Sequence, residues 1–284
     1  MNFEVLTLFP DSLKPIFSSS IIGRACEKGL ISVNCTDIRD YTLDKHRKVD
    51  DTPYGGGYGM VMMCQPAVDC IRAAKARCGG RVRTVYMSPQ GALFDQAKAR
   101  ELLEYDSLIL LCGHYEGIDE RIIELEIDEE LSVGNYVLTG GELPAAIVVD
   151  CVSRMVPGVL PAPECYTEES LQNGLLEHAQ YTRPRVFEGL AVPEVLINGN
   201  HALQQKWKLE QSLIRTAEKR PDLMERSDDK KEKEIQTSKS EEVLSPYRAR
   251  KHYPFGDGAR ERKDNRVFRT RQGKRAAFLR RGDG

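Results

Sequence analysis

Leu131-Ser132-Val133-Gly134-Asn135-Tyr136-Val137-Leu138-Thr139-Gly140-Gly141-Glu142 is an apolar strand pattern that collapses into a turn with two adjacent glycines and opens directly onto a helix. Two further strand patterns end alike, at Val85-Tyr86-Met87-Ser88-Pro89-Gln90-Gly91 and at Leu110-Leu111-Cys112-Gly113-His114-Tyr115-Glu116-Gly117. Each places small or bent residues just past a buried strand, where backbone amides and carbonyls stay free for a ligand. One such turn means little, since most glycine-rich turns only reverse the chain. Three from one sheet describe a small-molecule pocket built mainly from backbone.

Around these loops, strand patterns at Asn2–Leu8, Ile31–Ile38, Arg83–Met87, Leu108–Cys112 and Leu131–Leu138 alternate with helical ones. The helices are expected from Asp11 or Ser12 to Lys28, and over Pro66–Arg77, Asp95–Tyr105, Ile118–Leu125 and Glu142–Met155. Such alternation with uninterrupted apolar strands predicts an α/β fold, a parallel sheet covered by helices on both faces, over residues 1–156. Pro157, Pro161 and Pro163 then mark an interdomain linker at 157–172. A small, mainly helical second domain is expected at 173–224. In it Leu203, Trp207, Leu209, Leu213 and Ile214 recur at helical intervals across His201–Lys219. Residues 225–284 are Ser-, Lys- and Glu-rich, then Arg-rich, and predict a basic tail that is disordered when free.

The formal net charge of −2 hides an asymmetry: Pro246–Gly284 holds 13 Lys/Arg against 4 Asp/Glu, +9 locally, leaving −11 for residues 1–245. A basic tail on an acidic body suggests an anionic polymer as partner. Phe255, Phe268 and Phe278 among the arginines suit stacking on single-stranded RNA. The eight cysteines (26, 35, 64, 70, 78, 112, 151, 165) show no C-x-x-C pair and no accompanying His cluster, which argues against zinc or disulfides and for a reducing cytosol. No signal peptide is expected, and the longest apolar run, Leu143–Val152, contains Asp150 and is too short to span a bilayer. The expected location is cytoplasmic, with no membrane partner.

Tyr54-Gly55-Gly56-Gly57-Tyr58-Gly59-Met60 fits neither a P-loop nor a G-x-G-x-x-G fingerprint, yet suits close backbone approach to a flat or anionic ligand. This motif, Ser88-Pro89-Gln90-Gly91, Cys112-Gly113 with Tyr115-Glu116-Gly117-Ile118-Asp119-Glu120-Arg121, Gly140-Gly141-Glu142-Leu143-Pro144-Ala145 and Tyr181-Thr182-Arg183-Pro184 occur in that order. Together they closely resemble the bacterial tRNA (guanine-N1)-methyltransferases of the SPOUT class, over roughly residues 1–224. The resemblance implies a deep trefoil knot in the C-terminal half of the first domain, which no sequence periodicity would suggest. It implies S-adenosylmethionine bent in that knot, held by Tyr86, Met87, Ser88, Pro89 and Gln90, by Gly113, Tyr115 and Glu116, and by Val133, Gly134, Asn135, Tyr136, Val137, Leu138, Gly140, Gly141 and Pro144. Adenine can hydrogen-bond backbone groups of these loops, with Val133, Tyr136 and Leu138 as apolar walls. Glu116 is placed to face the cofactor's positive end or a magnesium ion.

The resemblance also implies methylation of N1 of the guanosine at position 37, next to the anticodon, and binding of the tRNA anticodon stem-loop. Guanine N1 carries a proton, so methyl transfer needs a base there and a cation toward O6, where negative charge grows. Arg154 suits the cation. The family carries its basic aspartate directly before a Ser-Phe pair; here Glu168-Glu169-Ser170-Leu171 align, so Glu169 takes the aspartate's place and Glu168 is its possible substitute. The extra methylene displaces the carboxylate by about 1 Å, a distance that matters in catalysis. RNA contacts are expected from His46, Tyr54, Gly55 and Gly59, and from Lys206, Lys208, Arg215 and Arg220 on the second-domain helix. The family works as a homodimer, with the knot of one subunit and the second domain of the other completing each site. A knotted enzyme acting on another RNA atom such as a ribose 2′-hydroxyl, and a non-catalytic RNA-binding relative, stay open as alternatives.

Overall fold

The computed structural model describes residues 1–224; the expectations for the basic tail lie outside the described residues. In chain order the elements are β1 (Asn2–Thr7), α1 (Pro10–Phe17), α2 (Ser20–Glu27), β2 (Ser32–Asp37), β3 (Asp50–Asp51), β4 (Val61–Met62), α3 (Cys64–Arg77), β5 (Val82–Leu93), α4 (Gln96–Leu102), β6 (Ser107–Cys112), α5 (Glu120–Glu126), β7 (Glu129–Ser132), α6 (Glu142–Ser153), α7 (Glu164–Thr167), β8 (Val186–Phe187), β9 (Leu190–Ala191) and α8 (His201–Lys219). Five strands form a parallel sheet in the order β2-β1-β6-β5-β7. β6 sits at its centre and every residue of it is buried, which is why its sequence is apolar without alternation.

Side chains of β6 alternate between two cores. Leu108, Leu110 and Cys112 pack with Phe3, Val5, Val85 and Met87 under α1, α2, α4 and α6, where Leu13, Ile22, Leu102, Val148 and Val152 are buried. Ile109 and Leu111 point to the other face, with Leu6 and Tyr86, against Val68, Ile71 and Ala74 of α3 and Ile122 of α5. The sheet is covered on both sides, as expected. Every buried apolar side chain among the described residues lies between Phe3 and Val156; beyond Val156 only Thr216 is buried.

Three expected elements differ most from their predicted bounds. The single helix toward Lys28 is two, broken at Ser18–Ser19, and it starts at Pro10 with Phe9 in the cap position rather than Asp11 or Ser12. A Cβ on Gly23 would stand 2.3 Å from the Ser18 carbonyl oxygen, so the chain folds back on itself there. β7 begins earlier and stops at Ser132, because the chain then leaves the ladder and Val133, Gly134, Tyr136, Val137 and Leu138 line the cavity described below. β5 runs beyond Met87 to Leu93 with a register shift: Val85–Met87 pair with Glu129–Leu131, then Ala92 and Leu93 pair with Leu131 and Ser132. Between the two stretches Ser88–Gly91 bulge out of the sheet.

Candidate active site

The bulged middle of β5 and the C-terminal ends of β6 and β7 converge on one cavity of about 320 Å³. At β5, Tyr86, Met87 and Ser88 are buried, and the Ser88 hydroxyl accepts from the Gln90 amide at 3.1 Å. Burial pushes the Tyr86 phenol up to about 12, so it stays protonated and neutral. At β6, the chain turns through Gly113 and through Tyr115, whose φ of +61° is left-handed. Burial also raises the Tyr115 phenol, with Asp50 adding to the effect. A Cβ on Gly113 would stand 2.8 Å from the Tyr86 ring, and one on Gly141 would stand 2.6 Å from the Cα of Cys112. The Gly141 amide donates to the Gly113 carbonyl at 3.0 Å, so the start of α6 is tied to the end of β6. Only glycine leaves the backbones room for this approach.

Every residue expected at the cofactor lines this cavity except Asn135. His114, Ile118, Glu120, Ile123 and Glu130 line it as well. Tyr136, Val137 and Leu138 are substantially exposed, apolar groups standing at an open face. Glu116, Glu120 and Glu130 give the wall negative charge, suited to a cationic ligand. Among the described residues no group of three or more His, Cys, Asp or Glu could hold a metal ion.

The tyrosine–glycine loop is fastened to this site. The Glu116 amide donates to the Met60 carbonyl at 3.0 Å, and a Cβ on Gly59 would stand 2.5 Å from Cγ of Glu116. Tyr54 and Tyr58 are fully exposed, Gly55 has a φ of +87°, and His46 lies on an exposed turn where its amide donates to Asp44.

Arg154 and Glu169 do not line the cavity. Arg154 caps the C-terminus of α6, and its guanidinium grips the Glu169 carboxylate bidentately, with Nη2 2.7 Å from Oε1. That hydrogen bond is the main reason the Arg154 guanidinium is held above its ordinary value. Lys206, Lys208, Arg215 and Arg220 ride on or cap α8, away from the cavity lining. Arg220 is paired with Asp222, whereas Nε of Arg215 is buried without a hydrogen-bond partner.

The sequence reading assigned no role to Thr7, His114 or Glu142. The Glu142 carboxylate, in the first turn of α6, accepts from the Thr7 hydroxyl and lies 2.8 and 2.7 Å from Nε2 of His114. For Thr7 and His114 the signal in the sequence is a polar residue at or just past the end of a parallel strand; Glu142 shows only a carboxylate in the first turn of a helix.

With this geometry in view, comparison with known proteins is decisive. A profile described as tRNA (Guanine-1)-methyltransferase TrmD matches residues 1–226. The chain belongs to the tRNA (guanine-1)-methyltransferase family. Among relatives in this family, the tRNA (guanine-N(1)-)-methyltransferase of Ruminiclostridium cellulolyticum is 57% identical over 223 residues, 78% of this chain and 96% of the relative. The corresponding protein of Pasteurella multocida is 53% identical over 225 residues, 79% of this chain and 92% of its own length. That of Lachnospira eligens is 52% identical over 225 residues, 79% and 95% respectively. The family match therefore takes in the sheet, the cavity, the Arg154–Glu169 pair and α8, and ends at the start of the basic tail. No helix among the described residues is long and apolar enough to cross a membrane.

Proposed function

We propose that this chain methylates N1 of the guanosine at position 37 of tRNA, using the cavity between β5, β6 and β7 for S-adenosylmethionine. The observation that carries the reading is the convergence of three segments separate in sequence, the β5 bulge and the loops after β6 and β7, on one backbone-lined cavity. The residues fit the group. Free backbone groups and apolar walls suit adenine, and Glu116, Glu120 and Glu130 suit a cation. The bound cofactor supplies an electrophilic methyl on its sulfonium; everything else falls to the chain.

Glu169 takes the N1 proton, and Arg154 donates to O6 as charge accumulates there. The two now grip each other, and their edge matches guanine's: one acceptor for N1–H beside a fork of donors for O6. Docking of the base opens the pair and gives each group a new partner. Since neither residue lines the cavity of its own chain, we place them at the cavity of a second copy in a homodimer. Exposed Leu143 and Ile147 on α6, and Leu203, Leu209 and Leu213 on α8, support such an association. So does the lack of buried apolar side chains among the described residues beyond Val156, which is also why we divide the chain into a methyltransferase domain (1–156), a linker (157–172) and a tRNA-binding domain (173–224). The close backbone approaches at Gly91 and Gly141 support a knotted C-terminal half in the first domain. The anticodon stem-loop meets the exposed Tyr54–Gly59 loop and His46, with α8 tracking phosphates. Magnesium, if used, takes Glu116 with substrate oxygens and water rather than an all-protein cage.

The test is single-turnover methylation of an unmodified tRNA transcript bearing guanosine at position 37, with wild type, Glu169→Gln and a chelator arm. N1-methylguanosine from wild type, lost by orders of magnitude in the variant, supports the reading. Equal product from both would remove Glu169 from the mechanism, and no product from wild type would overturn the activity. Undiminished product with the chelator would exclude magnesium.

A further inference from the structure

The part-buried contact between His114 and Glu142 is polar, lies beside the cavity and has no part in the chemistry above. Glu142 and the His114 side chain are 12% and 15% exposed. Both carboxylate oxygens lie within reach of Nε2, and the Thr7 hydroxyl donates to Oε1, so His114 presents an N–H at Nε2. Thr7 in turn accepts from the Phe9 amide at 2.9 Å, and the Phe9 ring meets the His114 ring edge-on, 4.9 Å between centroids. The three residues come from three places: the end of β1, the loop after β6 and the first turn of α6.

Gly140 closes the arrangement. A Cβ there would stand 2.3 Å from Cε1 of His114 and 2.6 Å from Oε2 of Glu142, so the backbone of the 138–141 loop lies directly on the pair. Neither Thr7 nor Glu142 touches the cavity, whereas His114 and Gly140 line it. We propose that Thr7, Glu142 and His114 form a clasp that fixes the spacing between the 113–117 and 138–141 loops and thereby holds the cavity in its binding-competent shape. These are positioning residues. The inference rests on the reading that this cavity takes S-adenosylmethionine.

A clasp acts on the fraction of chains that hold the competent spacing, and apparent affinity scales with that fraction. Removing one hydrogen bond to a charged group should then weaken cofactor binding by about tenfold. The test compares Thr7→Val, Glu142→Gln, His114→Phe and His114→Gln in the full chain. S-adenosylhomocysteine binding is followed by calorimetry, amide exchange of residues 113–117 and 138–141 without ligand by mass spectrometry, and global unfolding by thermal melting. The first three variants should raise Kd about tenfold and speed exchange in both loops, with melting nearly unchanged. His114→Gln keeps a donor near the Nε2 position and should recover most of the affinity. Wild-type binding matched by all four variants would overturn the clasp alone. Affinity loss that tracks loss of melting temperature, or a His114→Gln variant as weak as His114→Phe, would also overturn it. No binding by wild type would instead overturn the cofactor reading, and the clasp with it.

Discussion

Gly141→Ala isolates what the close approach of β6 and α6 contributes. Gly141 has φ −83° and ψ −3°, a conformation any residue adopts, so backbone strain plays no part. The difficulty is space. The new Cβ would stand 2.6 Å from Cα of Cys112, 3.0 Å from the Gly113 amide nitrogen and 3.1 Å from the Cys112 carbonyl carbon, all of them backbone atoms. Ordinary contact begins at 3.4 Å, so α6 and the end of β6 must separate by about 0.8 Å, the difference from 2.6 Å. Neither side yields easily: Cys112 is wholly buried on the central strand, and Ala145, Val148 and Val152 anchor α6 to the same core. Overpacking of this kind costs about 1–3 kcal/mol, against roughly 0.4–1 kcal/mol returned by the stiffer unfolded chain. A net loss of about 1.3 kcal/mol corresponds to a fall in melting temperature of about 3–5 °C for a domain of this size. The displaced loops should also weaken S-adenosylhomocysteine binding by more than about tenfold, since both line the cavity. Calorimetric melting and titration read the two effects. Gly79→Ala serves as control, for its Cβ would meet nothing within 4 Å. A Gly141→Ala protein that melts and binds like wild type would refute the argument from close approach.

Two further outcomes are expected. Arg77→Met leaves Glu4, 2% exposed, with Asn34 but without its 2.8 Å partner; because Arg77 is itself 44% exposed, the loss should be about 2 kcal/mol rather than the full cost of a buried orphan charge. Urea unfolding at pH 7 measures it, and an unchanged midpoint would contradict the pairing. His178 titrates below the ordinary histidine, first because it is partly shielded from water and second because Lys208 lies near. With a depressed folded value, its contribution to stability is present above about pH 6.5 and fades as pH falls toward that value. Lys208→Gln should raise its NMR titration midpoint, and an unmoved midpoint would show that Lys208 exerts no field there.

Much of this protein follows from local pattern. His201–Lys219 forms the helix its periodicity predicts, within the same bounds, and Leu108–Cys112 is the fully buried strand its unbroken apolar run demands. The glycine-rich ends after β6 and β7 were legible as loops because small residues past a buried strand leave backbone groups unused, whereas Ser88–Gly91 proved to be a bulge within β5. These are features of neighbours in sequence, and neighbours suffice to specify them.

Other features depend on chain segments that only packing brings together. Thr7 and Glu142 are 135 residues apart, and nothing near either foretells that they hydrogen-bond each other or that His114 reaches the same carboxylate. The shift in β5 pairing at Ser88–Gly91 depends on β7, against whose backbone at Glu130 a Cβ on Gly91 would stand 2.3 Å away. Gly141 reads as a turn residue, yet its conformation is ordinary and its need for glycine comes from Cys112 on another strand. The sequence by itself determined the elements and the loops that end them, because backbone preference and burial periodicity act over a few residues. Which loops meet, and how closely, was decided only when the sheet was assembled, because steric exclusion acts between whatever atoms packing makes adjacent.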